Sequence, residues 1–282
     1  CVNLKLLYHQ YLFRYLLIFL GFRYSFAYLH YIKRNILNTS SKLKDDSKIW
    51  RYMNFDKFIS MLSHKALHFS RADIFTDKWE GAVPELIFKK LKDELSDEDT
   101  ENTKTFIKKL KELTFVNCWH INEFESAAMW DLYGSSDGTI AIESDIKTLE
   151  KVFLEINQSS TDMKFEMNSV EYIDYKVKYD LTINPRKIFF YKRKSFEHEN
   201  ELRIIGQNNN LVNLIKCLQI FNYSSNKRTY IQPINLIELI KIIHVSPTAP
   251  IWFFELVRKV VQEDYKLNIE VRQSDLYKDP IY

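Results

Sequence analysis

The sequence predicts an α+β fold: a mixed, mostly antiparallel split sheet with flanking helices. Three observations predict it. Short strand-like runs and helical runs follow one another irregularly, without the rhythm of a βαβ series. Hydrophobic residues are 46% and charged residues 27% of the 282, the balance of a globular chain. A chain of this length buries roughly 75% of the surface its unfolded form exposes, so its fold requires neither disulfide nor metal. A single α+β domain is expected over residues 49–282. It follows a basic, aromatic-rich extension over residues 1–37 and a polar linker over 38–48.

The domain opens on Ile49-Trp50-Arg51-Tyr52. Asn54 is a suitable N-cap, and Phe55, Phe58, Ile59 and Leu62 recur at helical spacing to about His64. Leu67 to Ser70 alternates as a strand, and Arg71 to Gly81 is a loop. Pro84 to Leu95 and Glu101 to Leu113 are helical, and the acidic run Asp93 to Glu101 reads as a solvated connector between them. Thr114 to His120 is a strand, Glu123 to Tyr133 a short helix, Gly134 to Gly138 a turn and Thr139 to Glu143 a strand. A helix over Ile146 to Ile156 precedes a strand over Val170 to Tyr175. Lys187 to Phe196 is expected to be helical and to lead into a strand over Glu199 to Ile205. Gln207 to Arg228 reads as an inserted helix. Ile240 to Ser246 is a strand stopped by Pro247, Pro250 to Tyr265 a helix with Pro near its first turn, and Asn268 to Gln273 the last strand.

Forty basic and 37 acidic residues leave a net charge of +3, too even a balance to point to nucleic acid by itself. Cys1, Cys118 and Cys217 are too few and too scattered for a disulfide framework, so the expected location is the cytoplasm. Residues 1–34 hold five basic and no acidic residues among Leu, Phe and Tyr. Arg14 and Arg23 interrupt any spanning helix. Two readings stay open for this segment: a basic amphipathic helix touching a membrane or a partner, or a helix packed on the domain. The five glycines, at 21, 81, 134, 138 and 206, form neither G-x-G-x-x-G nor a Walker loop. G-x-S-x-G, H-E-x-x-H and C-x-x-C are absent as well, which excludes those hydrolase and zinc motifs.

Several short pieces follow one another along the chain. They are Trp50-Arg51-Tyr52; His68-Phe69-Ser70 with Phe75-x-Asp77-x-x-Glu80-Gly81; Cys118-Trp119; Met129-Trp130-x-x-Tyr133-Gly134; and Glu199-x-Glu201-x-Arg203. With the tail Ile243 to Pro247 they resemble the bacterial domain of unknown function 2971 family, from about Trp50 to the C-terminus. The loop departs from the family pattern, with Thr76-Asp77-Lys78 in place of Asn-Asp-Pro. Some members are similar to abortive phage-resistance proteins. That similarity implies a defence or toxin setting, with a partner protein from a defence operon and a nucleic-acid or protein acceptor.

A further analogy is to ADP-ribosyltransferases, which use an Arg on an early strand, a Ser on a following strand and a Glu on a late one. Arg51, Ser70 and Glu201 stand in that order here. The analogy implies NAD as co-substrate, bound by Arg51, Ser70 and Arg203, with Glu201 the catalytic carboxylate and Glu199 assisting. The chemistry is coherent: a guanidinium binds phosphate oxygens, and a fixed carboxylate stabilises the oxocarbenium character of a breaking glycosidic bond. No metal is needed. In an extended strand Leu202 and Ile204 face the core, and Glu199, Glu201 and Arg203 the other side.

The alternatives are structural. Arg51 could pair with Glu199 or Glu201 in a buried ion pair. Ser70, His68, His120 and His198 could be ordinary packing residues, and Cys118 an inert buried thiol. Trp79, Trp119, Trp130 and Tyr133 read as core before they read as stacking platforms. Asp77 and Glu80 read as loop caps before metal ligands. Arg186, Lys187, Lys192, Arg193 and Lys194 read as a solvated helix face before a phosphate-binding cluster. Three functions compete: an NAD-using transferase of a defence or toxin system, a non-enzymatic regulatory or antitoxin-like module, and a metal-dependent nuclease built on Asp77, Glu80 or Asp174.

Overall fold

The computed structural model describes residues 46–133, 138–176, 186–208 and 227–281. The first part of the chain builds β1 (Lys48–Asn54), α1 (Phe55–His64), β2 (Ala66–Arg71), α2 (Glu85–Glu94), α3 (Asp97–Glu112) and β3 (Thr114–Ile121). The middle part builds α4 (Ala127–Tyr133), β4 (Thr139–Asp145), α5 (Ile146–Ser159), β5 (Met163–Ser169), β6 (Glu171–Ile173) and β7 (Tyr191–Arg193). The last part builds β8 (Glu201–Asn208), β9 (Thr229–Pro233), α6 (Leu236–Leu239), β10 (Ile242–Val245), α7 (Ile251–Lys259) and β11 (Glu270–Gln273).

The expected class holds: helices flank a nine-stranded, mostly antiparallel sheet, ordered β11-β10-β4-β1-β3-β2-β9. Among the described residues only β10 and β11 pair in parallel in it. The sheet is split at β3. Along one edge β3 pairs with β8 for its whole length, from Thr114↔Gln207 to His120↔Glu201. Along the other it meets β1 only at Ile49↔Ile121 and Trp50↔His120, and β2 only at Ser70↔Val116 and Arg71↔Phe115. β1 and β2 thus splay apart, and α1 bridges them.

The alternation of the strands sorts residues onto two faces. Ile49, Met53, Leu67, Phe69, Trp119, Leu202 and Ile204 build the main core on one face, under α1, α5 and α7. Val116 and Ile205, on the other face, pack beneath Phe106 and Leu110 of α3 and the Ile188-Phe189-Phe190 segment. At the far end of that face Trp50, Tyr52 and Ala141 pack against Met129 and Trp130 of α4. A cavity opens on this second face.

Several expected elements change. Ser96 caps α3, its Oγ accepting from the Asp99 amide at 3.1 Å, so Asp97, Glu98 and Asp99 form a helical first turn that favours negative charge, not a connector. Lys187 to Phe196 is helical only in part: two 3₁₀ stretches flank the short β7, which pairs in parallel with β6 in a separate two-stranded sheet. Val170 to Tyr175 reduces to β6. The late strand starts at Glu201, because Glu199 ends a 3₁₀ turn and Asn200 is left-handed at φ 36°. β5 and β9 are not among the expected strands. The extension over 1–37, most of the linker over 38–48, most of the expected turn at Gly134 to Gly138, most of the inserted helix at Gln207 to Arg228, and Cys1 and Cys217 lie outside the described residues. Among the described residues no helix is long and apolar enough to cross a membrane.

Candidate functional site

A cavity of about 680 Å³ opens on the second face, within the ~300–1,000 Å³ typical of small-molecule sites. Cys118 of β3 and Glu201 and Arg203 of β8 reach it from the sheet. The loop after β2 supplies Phe75, Asp77, Lys78, Trp79 and Glu80; the β7 region supplies Lys192, Arg193, Phe196 and Glu199; α4 supplies Leu132 and Tyr133.

Its floor is a closed charge network. Arg203 is 1% exposed. Its Nε donates to Glu201 Oε1 at 2.6 Å, its Nη2 to Glu201 Oε2 at 3.0 Å and to Glu80 Oε2 at 2.5 Å, and its Nη1 to the Phe189 carbonyl at 2.8 Å. Lys192, 6% exposed, brings its Nζ to Glu199 Oε2 at 2.7 Å, Glu201 Oε2 at 3.2 Å and Glu80 Oε1 at 3.5 Å. Three buried carboxylates therefore share two buried cations. Burial works against the Glu201 carboxylate, but the Arg203 charge and hydrogen bonds hold its pKa down to about 2. Burial dominates at Glu80 and raises its pKa despite Arg203 and Lys192. Burial would lower Lys192, yet the surrounding carboxylates raise it.

The mouth is different. Lys78 is exposed, and the Arg193 side chain, 42% exposed, grips Asp77 through two contacts of 3.0 Å. Asp77 Oδ1 also accepts from the Trp79 amide at 3.1 Å, the loop cap expected of it. Leu132 and Tyr133 are exposed on the opposite wall. Negative charge is thus in excess on the floor and positive charge at the rim.

The predicted residues divide. Glu199, Glu201 and Arg203 meet in the cavity, and Leu202 and Ile204 pack in the main core as the alternation requires. Arg51 and Ser70 are not among the cavity's lining residues. Arg51 pairs in register with Ile142, so its side chain sets out from the main-core face, but its guanidinium lies near enough to Cys118 and Tyr133 of the cavity to feel them. Its Nη2 instead donates across the fork to the His68 carbonyl at 3.2 Å, which also accepts from Asn117 Nδ2 at 2.9 Å. Burial lowers the Arg51 pKa to about 10. Ser70 does lie on the cavity face, but it pairs with Val116, four residues along β3 from the His120 that pairs with Glu201. Four residues of strand amount to about 13 Å. The alternative ion pair of Arg51 with Glu199 or Glu201 does not form; Lys192 and Arg203 take those carboxylates.

Other expectations are corrected. Lys192 belongs to no solvated face: it alternates inward in β7 beneath Phe196, whose ring centroid lies 4.9 Å from Nζ. Glu80 caps no loop but joins the floor. Tyr133 lines the cavity instead of the core, whereas Trp79 both lines it and packs as expected on the small core cluster of Ile173, Tyr175 and Tyr191, edge-on to Tyr175 at 5.2 Å. Trp119 and Trp130 are core. Cys118 lines the cavity, and burial together with the Glu201 charge pushes its thiol well up, consistent with an unreactive thiol. Glu80 is expected only as a loop cap or metal ligand and Lys192 only within a basic cluster, neither as a partner of Glu199, Glu201 and Arg203. The signal for Lys192 was its place in the apolar run Phe189-Phe190-Tyr191, where a strand turns it inward. Among the described residues no group of three or more His, Cys, Asp and Glu is placed to hold a metal ion. No protein-family model matches the chain, and no curated protein matches it.

Proposed function

We propose that the cavity binds NAD and cleaves its nicotinamide glycosidic bond, transferring or hydrolysing the ADP-ribose in an ADP-ribosyltransferase-like domain of a bacterial defence system. One observation carries the reading: the carboxylate excess of the floor and the cationic rim. NAD is polarised in the same way, with a cationic nicotinamide ring and an anionic pyrophosphate. The ring enters towards Glu199 and Glu201, the pyrophosphate stays near Lys78, and Trp79, Tyr133 and Phe196 offer faces for stacking.

As the bond from ribose C1′ to the ring nitrogen breaks, the electron pair leaves with neutral nicotinamide and positive charge appears on the ribose. Glu201, fixed as an anion by Arg203, stabilises that charge without reorganising. A water or acceptor nucleophile then bonds to C1′ and passes its proton to Glu199, which is bonded to Lys192 through one oxygen only. No proton donor is required for departure, since the leaving group is neutral. Arg203 organises the floor and takes no part in binding phosphate, as its bonds are spent on Glu80, Glu201 and Phe189. Arg51 and Ser70 have no role here.

Nicotinamide release by the purified chain tests the reading. Glu201→Gln, nearly isosteric, is expected to lower turnover by about 100-fold or more. Full retention by Glu201→Gln would remove the carboxylate from the role. The closure of the floor network favours a second reading, a non-enzymatic binding module, because every one of its charges already has a partner within the protein. That reading predicts neither nicotinamide release nor heat on titration with NAD.

A further inference from the structure

Glu199 and Glu201 reach one ammonium, although Glu199 ends a 3₁₀ turn and Glu201 begins a strand. The residue between them makes this convergence possible. Asn200 adopts φ 36°, ψ 63°, a left-handed conformation that costs most residues roughly 1–2 kcal/mol and that Asn tolerates. The same side chain spans to β3: its Nδ2 donates to the Ile121 carbonyl at 2.6 Å, while the Ile121 amide donates to the Asn200 carbonyl at 2.8 Å.

The flanking main chain is fixed just as closely. His120 Nδ1 donates to the Glu199 carbonyl at 2.6 Å. The Glu201 amide donates to the Tyr172 hydroxyl at 2.9 Å, and the Val170 amide to the Glu201 carbonyl at 2.8 Å. The turn is therefore tied to the end of β3 on one side and to the segment around β6 on the other. A left-handed, non-glycine residue with its side chain committed, set between the two carboxylates that face a cavity, is where strain is expected to serve a site.

We infer that Asn200 is the positioning residue that turns Glu199 and Glu201 onto the same cavity floor. This role rests on the NAD-cleaving reading for its effect on turnover, but not for its effect on geometry. Glycine would keep the backbone and lose the tie to Ile121. Alanine would lose both. Aspartate would set a carboxylate against the Ile121 carbonyl.

The test compares Asn200→Gly and Asn200→Ala in the full chain with Gly206→Ala, a control destabilised within β8 away from the cavity. In a crystal structure of Asn200→Ala, Lys192 Nζ is expected to lose hydrogen-bond contact with one of the two carboxylates. Turnover is expected to fall by about 100-fold with KM changed by less than about two-fold, since a displacement of about 1 Å suffices for such a loss. Asn200→Gly is expected to retain more turnover than Asn200→Ala, and Gly206→Ala to keep the wild-type value. Unchanged contacts from Lys192 to both carboxylates in Asn200→Ala, or turnover that follows thermal stability alone across the three variants, would overturn the inference. A wild-type chain that releases no nicotinamide would refute the NAD reading instead, and the crystal structure would still decide the role of Asn200.

Discussion

At the scale of single residues, the cost of the buried network falls on Arg203. It neutralises Glu201 and Glu80 and feels burial on all sides, yet its own pKa rises because those carboxylates surround it. Replacing it with Met would leave three carboxylates to one ammonium. The expected loss is about 3–5 kcal/mol in urea denaturation, the range for breaking a buried ion pair. Arg51→Met is expected to cost clearly less, since that guanidinium makes one hydrogen bond to a carbonyl and holds no carboxylate. Equal losses would contradict the distinction between the two arginines. Part of this was legible in the sequence: period-two alternation separates Leu202 and Ile204 from Glu201 and Arg203. Glu80 was not, because its partner lies 123 positions away and nothing local marks a loop glutamate for burial. The absence of Arg51 from the lining was not legible: its guanidinium bonds the His68 carbonyl in the fork between β1 and β2, close enough to feel Cys118 and Tyr133, yet it does not line the cavity.

At the scale of elements, two glycines let the site's supports pack. A Cβ on Gly206 of β8 would lie 2.7 Å from the Phe165 ring of β5, so Gly206→Ala is expected to destabilise by about 1–3 kcal/mol through overpacking. Gly81 closes the loop that delivers Glu80. It sits at φ +66°, and a Cβ there would lie 2.8 Å from the Phe189 ring. Gly81→Ala therefore meets backbone strain and crowding together, and is expected to cost at least as much as Gly206→Ala in the same urea measurement. A loss below about 0.5 kcal/mol at Gly81 would show that the loop has another way to settle. The sequence revealed the long, strongly patterned elements better than the short ones. The α1 periodicity of Phe58, Ile59 and Leu62 is local and sufficient. β5 also alternates plainly, with Met163, Phe165 and Met167 inward, so this strand is legible in the local pattern although it is not among the expected ones. β7 is different: a three-residue strand between 3₁₀ turns exists only through its pairing with β6, which no local propensity encodes.

At the scale of the whole molecule, stability should fall on acidification in a defined window. Glu201 is held near 2 by Arg203, and Glu143 near 2 by its bonds to His244 and Lys48. Both groups bind fewer protons in the folded chain than in the unfolded one, whose carboxylates titrate near 4.5. Their contribution is present above 4.5 and is lost as pH falls towards 2. Glu80 and Glu166, raised by burial, act in the opposite sense: they oppose folding as pH climbs through 4.5 to their folded values. The thermal midpoint by circular dichroism is expected to fall less between pH 7 and pH 3 in Glu143→Gln than in the wild-type chain, and an equal change in both would contradict the depressed Glu143 carboxylate. The overall class was legible because the irregular succession of strands and helices excludes a parallel series. The forked sheet that sets the cavity depends on pairings of β3 with three other strands, and those appear only in three dimensions. The central claim is that a cavity with a carboxylate floor and a cationic rim receives NAD. Isothermal titration of the intact chain with NAD tests it most directly. The account predicts heat with one site per chain, weakened about ten-fold or more by Lys78→Glu at the exposed rim; titration without heat would contradict it.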